Sequence, residues 1–70
     1  MRASRLEEAI RDVLDPREQT VIRLRYGLSG APKTQKEAAS YLGISRSYVS
    51  RIEKSALLKL KDALGNLASD

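Results

Sequence analysis

Leu42-Gly43-Ile44-Ser45-Arg46-Ser47-Tyr48-Val49-Ser50-Arg51-Ile52-Glu53-Lys54 is the stretch that decides the fold. A glycine stands between two apolar residues, and a serine then opens a run with arginines and serines on one side and aliphatics on the other. Gly43 suits a tight turn with positive φ, and Ser45 is a residue type that caps a helix. Ala39, four residues upstream of the glycine, is small enough to let two helices cross closely. Ala38, Leu42 and Ile44 supply apolar contacts around the turn, and Val49 and Ile52 continue them downstream. This is the spacing of a helix-turn-helix.

On a wheel of 3.6 residues per turn, Val49, Ile52, Ala56, Leu60 and Leu64 share one face of the second helix, which is the predicted core face. Ser47, Arg51 and Lys54 point the opposite way, with Ser50 beside them and Arg46 in the exposed first turn. In a helix-turn-helix the second helix enters the DNA major groove, led by its N-terminal residues. Arginine there can bond a guanine through two parallel hydrogen bonds, and serine can pair with several bases. Each arginine taken singly has a second reading as a phosphate contact, because half or more of protein–DNA hydrogen bonds go to the backbone. Lys33, Lys36, Arg25 and Lys54 are better suited to phosphates than to bases. Tyr48 lies near the same side, within reach of a sugar or a methyl group. Tyr26 and Tyr41 are expected to be half-buried core residues.

Working towards the N-terminus, Thr34-Gln35-Lys36-Glu37 has the pattern of a capping box opening the helix before Gly43. The positive end of that helix can also hold a phosphate through its backbone N–H groups. Residues 28–33, with Gly30 and Pro32, read as a loop. Asp15-Pro16-Arg17-Glu18 is a second capping box, with proline at the first helical position. It opens a helix that buries Val21, Ile22 and Leu24 in some combination and stops at Gly27. Proline disfavours helical geometry at Asp15, so an earlier helix over residues 5–14 is separate. Ser4 is its expected cap, and Leu6, Ile10, Val13 and Leu14 form its apolar stripe. Towards the C-terminus the last helix is expected to run to about Leu64, before Gly65, and residues 66–70 to fray.

The pattern is helical throughout, with no alternating strand signal. The predicted fold is therefore all-α: a small four-helix domain with a C-terminal helix-turn-helix over about residues 34–64. Seventy residues form one domain with a thin core and modest stability. The chain has no cysteine and no histidine, which removes disulfides, thiolate metal sites and the commonest metal ligand and general base. Serine catalysis at Ser45 or Ser47 lacks a base nearby, and Glu37 and Glu53 are explained by a cap and a salt bridge. No enzyme, cofactor or metal is expected. No apolar run nears membrane-spanning length and no signal peptide opens the chain, so a soluble, cytoplasmic protein is expected.

The net charge is +4, unevenly placed. Residues 1–30 hold six basic and five acidic side chains, whereas residues 33–61 hold seven basic and two acidic. A basic second half fits a polyanionic partner. Three functions remain open: DNA recognition by a module of a larger chain, a free-standing regulator that dimerises on a palindrome, and a docking module that mainly binds protein.

Leu14-Asp15-Pro16-Arg17-Glu18, Val21-Ile22-Arg23-Leu24-Arg25-Tyr26-Gly27-Leu28, Thr34-Gln35-Lys36-Glu37-Ala38-Ala39 and the run from Leu42 to Lys54 together resemble region 4, the C-terminal domain of bacterial sigma factors. The similarity spans residues 6–64, and the helix from Ser45 onwards looks most like the mother-cell sporulation type, sigma K and sigma E. The resemblance implies a domain cut from a longer chain that recognises the promoter −35 element in double-stranded DNA. Family base-reading positions fall on Arg46, Ser47 and Arg51, and family phosphate positions near Arg25, Thr34, Ser45 and Ser50. The partner it implies is RNA polymerase, through the β subunit flap and an apolar groove. Leu58 is a candidate for that contact, and an anti-sigma factor is the further partner in the docking reading. Housekeeping members carry an acidic residue in place of Ser47 and an arginine in place of Tyr48. The carboxylate that would accept from cytosine is therefore gone, and the housekeeping −35 sequence is not the expected target.

Overall fold

The computed structural model describes residues 5–28 and 30–68, with side chains described as far as Gly65. Four helices follow in order: α1 (Arg5–Val13), α2 (Pro16–Arg25), α3 (Gln35–Leu42) and α4 (Arg46–Ala68). The architecture is all-α, and α4 is the spine against which α1, α2 and α3 each pack. Ser4, the expected cap of α1, lies outside the described residues.

Both capping boxes form. The Asp15 carboxylate accepts from the Glu18 N–H at 2.8 Å while Glu18 accepts from the Asp15 N–H at 3.0 Å. The Thr34 hydroxyl accepts from the Glu37 N–H at 3.0 Å while Glu37 accepts from the Thr34 N–H at 2.8 Å. Each box satisfies donors that a helix start otherwise leaves unpaired. Two glycines end helices in the left-handed region, with φ of +70° at both Gly27 and Gly43. They differ in what surrounds them. A side chain at Gly43 would meet nothing, so only the backbone conformation demands glycine there. At Gly27 a Cβ would stand 2.8 Å from the Gly30 carbonyl oxygen and 3.0 Å from the Pro32 ring, so shape demands it as well.

The core divides into two clusters, and α2 supplies both. Val21 joins Ala38, Ala39, Val49 and Ile52, with Leu24, Leu42 and Ile44 packed at the edge; this is the helix-turn-helix wedge. Ile22, the next residue, joins Ala9, Ile10, Leu14, Ala56 and Leu60 in a second cluster under α1. A helix buried on two sides has no single apolar stripe, which is why the sequence left the choice among Val21, Ile22 and Leu24 open. The predicted core face of α4 is found as expected, with Leu64 partly buried against the second cluster.

Three expectations are corrected. Leu6 and Val13 are each 37% exposed, and Ala9 takes their place in the core beside Ile10 and Leu14; α1 sits at the margin of a small domain, and its stripe is only partly covered. Tyr41 is 70% exposed rather than half-buried, whereas Tyr26 is 49% exposed with its hydroxyl bonded to Glu53. Tyr41 stands on the outer side of α3, whose inner side is made by the small Ala38 and Ala39. Finally, α4 passes through Gly65 to Ala68 instead of ending near Leu64. A glycine inside a helix costs only about 1 kcal/mol, Gly65 is not among the positive-φ glycines, and no proline follows to force a stop.

Ala39 is 6% exposed within the wedge, and its carbonyl receives the N–H of both Gly43 and Ile44 across the turn. Ala39→Leu should therefore overpack the crossing and lower stability by about 1–3 kcal/mol. Urea unfolding of the variant measures this; an unchanged midpoint would mean that the helices do not cross at Ala39.

Candidate nucleic-acid interface

The first turn of α4 is set by Ser45, whose hydroxyl accepts from the Tyr48 N–H at 3.1 Å while its carbonyl receives the Val49 N–H at 3.1 Å. The Ser47 hydroxyl lies 3.4 Å from that of Ser45. From this cap the helix presents Ser47, Ser50, Arg51 and Lys54 on the side away from the buried Val49, Ile52 and Ala56, with Arg46 exposed in the first turn. All three base-reading positions named from the sequence are thus exposed near the start of α4. That surface carries no carboxylate among residues 45–52.

The expected phosphate residues separate into two groups. Lys36 and Thr34 are exposed at the start of α3, and Ser50 and Lys54 are exposed on α4. Glu37 takes the Thr34 N–H, so the helix-end donors left to an outside anion are those of Gln35 and Lys36. That same bond holds the Glu37 carboxyl below its usual range. Arg25 and Lys33 are half-buried, and the Arg25 side chain and the Lys33 backbone are used inside the domain. The Arg25 Nε donates to Glu53 at 2.8 Å and an Nη donates to the Lys33 carbonyl at 2.7 Å, while the Lys33 N–H donates to Leu24. Arg25 thereby fixes the loop that delivers Thr34 and Lys36.

Two buried carboxylates frame the interface from behind. Glu53, 6% exposed, accepts from Arg25, from the Tyr26 hydroxyl at 3.0 Å and from the Gln35 amide at 3.1 Å, so it ties α2, its C-cap and α3 to α4. Glu18, 5% exposed, completes its capping box and also accepts from Ser55 and Lys59 of α4, each at 2.9 Å. The sequence marked Glu53 as a salt-bridge partner. It gave no sign that Glu18 has a second task, because a capping-box glutamate reads the same whether exposed or buried.

Burial alone would push both carboxyls up. It is outweighed at Glu53 by hydrogen bonds from Arg25, Gln35 and Tyr26 and by the Arg25 charge, and at Glu18 by Lys59, the Asp15 N–H and Ser55, so both lie below the usual carboxylate range. Groups depressed in the folded state stabilise it above their unfolded pKa and lose that effect as pH falls through the folded value. Melting temperature should therefore hold steady down to about pH 5 and drop below about pH 4. The drop should be shallower in the Glu18→Gln, Glu53→Gln double variant. Thermal melts from pH 7 to pH 2 test this, and equal slopes for the two proteins would contradict it.

Leu6, Tyr26, Leu28, Leu57, Leu64 and the stem of Lys61 line an almost wholly apolar groove of about 500 Å³, floored by Ile22 and Leu60. Leu58, 60% exposed, lies outside it and beside Lys54 and Lys61. Among the described residues, no helix is long and apolar enough to cross a membrane.

Comparison with known proteins agrees with this geometry. The family model described as Sigma-70, region 4 matches residues 12–62. The chain is 56% identical over 61 residues to the RNA polymerase sigma-28 factor of Bacillus thuringiensis subsp. kurstaki, covering 86% of this chain and 25% of that protein. It is 62% identical over 50 residues to the RNA polymerase sigma-K factor of Bacillus subtilis, covering 70% and 17%. It is 49% identical over 55 residues to the RNA polymerase sigma-E factor of Clostridium acetobutylicum, covering 77% and 23%. The chain thus spans a quarter or less of the length of these relatives. With the helix-turn-helix, both capping boxes and the exposed basic face of α4 in place, the chain belongs to the family of sigma-70 region 4 domains.

Proposed function

We propose that this domain recognises the promoter −35 element in double-stranded DNA and does so as part of a sigma factor directing RNA polymerase in the cytoplasm. The observation that carries the reading is the sidedness of α4: Ser47, Ser50, Arg51 and Lys54 are exposed on the face opposite the buried Val49, Ile52 and Ala56, and Arg46 is exposed in the first turn. That is what a helix lying in a major groove requires. Arg46 and Arg51, with Ser47, face base edges. Lys33, Lys36, Thr34, Ser45, Ser50 and Lys54 serve phosphates, and Arg25 shapes the loop behind them. The apolar groove suits an amphipathic segment of polymerase, and the β subunit flap is its proposed occupant. The names of the relatives and the resemblance to sigma K and sigma E support a sporulation factor.

A handful of phosphate contacts gives weak binding, which tethering to polymerase raises through effective concentration. The test therefore uses the tethered form. The matching segment of the Bacillus subtilis sigma-K factor is replaced by this chain, and polymerase carrying the chimera selects promoters from a library randomised at the −35 position. Enrichment of a defined sequence supports the reading. Normal polymerase binding with no enrichment would favour a docking module whose partners are polymerase or an anti-sigma factor.

Lys36→Ala should weaken binding to all sequences by similar factors, since phosphates carry no sequence information. The slope of log affinity against log salt should fall by about one unit. A salt titration on two unrelated duplexes checks this. A loss confined to one sequence would instead make Lys36 a base reader.

A further inference from the structure

We propose that Tyr48 is a specificity-determining residue of the DNA interface, selecting thymine through its 5-methyl group, and that Arg17 of α2 is the residue that positions it. The inference rests on the reading of α4 as a major-groove helix. Tyr48 occupies the first turn of α4, next to Ser47, and is 44% exposed. Its ring does not hang free. The Arg17 guanidinium lies over it, 5.5 Å from the ring centroid, and Arg17 makes no ion pair among the described residues. A guanidinium stacked on one face of a ring limits the rotamers of both side chains and leaves the ring edge pointing outwards. Ser45 fixes the backbone beneath it through the Tyr48 N–H.

The surroundings favour DNA contact over a role in the core. Tyr48 and Arg17 line an open cleft between the start of α2 and the turn before α4, together with Asp15, Pro16, Thr20 and Leu42. Arg51 borders the adjoining cleft with the same two residues. The flank of α4 that faces α2 therefore carries an aromatic edge between two arginines. Ser47 beside it is too short to fill the same space, so a base edge opposite the first turn meets the tyrosine first. An aromatic edge offers no hydrogen bond to a base edge, but it gives the thymine methyl an apolar surface.

The test uses this 70-residue chain at low salt with the duplex selected above, replacing each thymine in turn by deoxyuridine, which lacks only the methyl group. Binding is read by fluorescence anisotropy. One replacement should weaken binding roughly threefold to fivefold, the value of one buried methyl group. Tyr48→Ala should abolish that difference, while Tyr48→Phe should keep it. Arg17→Ala should shrink the difference although Arg17 touches no base, and circular dichroism should show all three variants folded. If no deoxyuridine replacement matters while Arg46-dependent base preference persists, the Tyr48 proposal is overturned and the function stands. If Arg17→Ala leaves the difference intact, its positioning role is overturned. If no base preference of any kind exists, both this proposal and the major-groove reading fall.

Discussion

Glu53→Ala should lower the melting temperature by roughly 10–20 °C, the largest loss expected from any single polar side chain in the domain. The carboxylate gathers the Arg25 guanidinium, the Tyr26 hydroxyl and the Gln35 amide on one buried spot of α4. Removing one member of a buried pair costs about 3–5 kcal/mol, because the other charge is left without its partner. Arg25 retains 25% side-chain exposure and can turn partly to water, so the cost is placed nearer about 2–3 kcal/mol. In a domain this small each kilocalorie moves the midpoint by about 4–8 °C. Total stability for a chain of this length is only about 4–10 kcal/mol, so the variant loses a large fraction of it. Glu53→Gln keeps the volume and one acceptor and should lose less. Thermal melts at neutral pH make the comparison. A shift of under about 2 °C for Glu53→Ala would mean that α2 and α3 are held to α4 by the apolar wedge alone.

The parts of this molecule that the sequence made legible are those governed by local rules. Capping boxes at Asp15 and Thr34, left-handed glycines at 27 and 43, and the serine cap at 45 each depend on a few consecutive residues, and all five are found. The face of α4 that points to solvent was also readable, because one long helix with one buried side has one period. What escaped depends on neighbours distant in the chain. Glu18 meets Ser55 and Lys59, far along the sequence, and nothing near Glu18 announces them. The Tyr26 hydroxyl is bonded to Glu53, 27 residues away, and Arg25 is committed to the same carboxylate. The stack of Arg17 on Tyr48 joins the start of α2 to the start of α4, and neither residue predicts the other. The extent of α4 past Gly65 escaped for the opposite reason, since a local breaker was outweighed by the helix around it.

Arg46 carries the central claim. It stands one residue after the Ser45 cap, exposed, at the point where a major-groove helix meets base edges. Its fork matches the two acceptors of a guanine, a contact worth about 1–3 kcal/mol of discrimination, or roughly 5-fold to 150-fold in affinity. Because the side chain is exposed and lies outside both core clusters, Arg46→Ala removes that contact without touching the fold. Ser47 is short and adaptable, so the base it faces should be loosely specified in the parent chain. Ser47→Glu places a carboxylate there, which should create a new preference for cytosine at the neighbouring position. The most direct measurement is a binding profile across every single-base variant of the selected −35 site for the parent chain and both variants, with circular dichroism to confirm folding. The account predicts that Arg46→Ala flattens preference at one base pair and Ser47→Glu adds a cytosine preference beside it. Unchanged parental profiles in both variants would show that this face of α4 does not read bases.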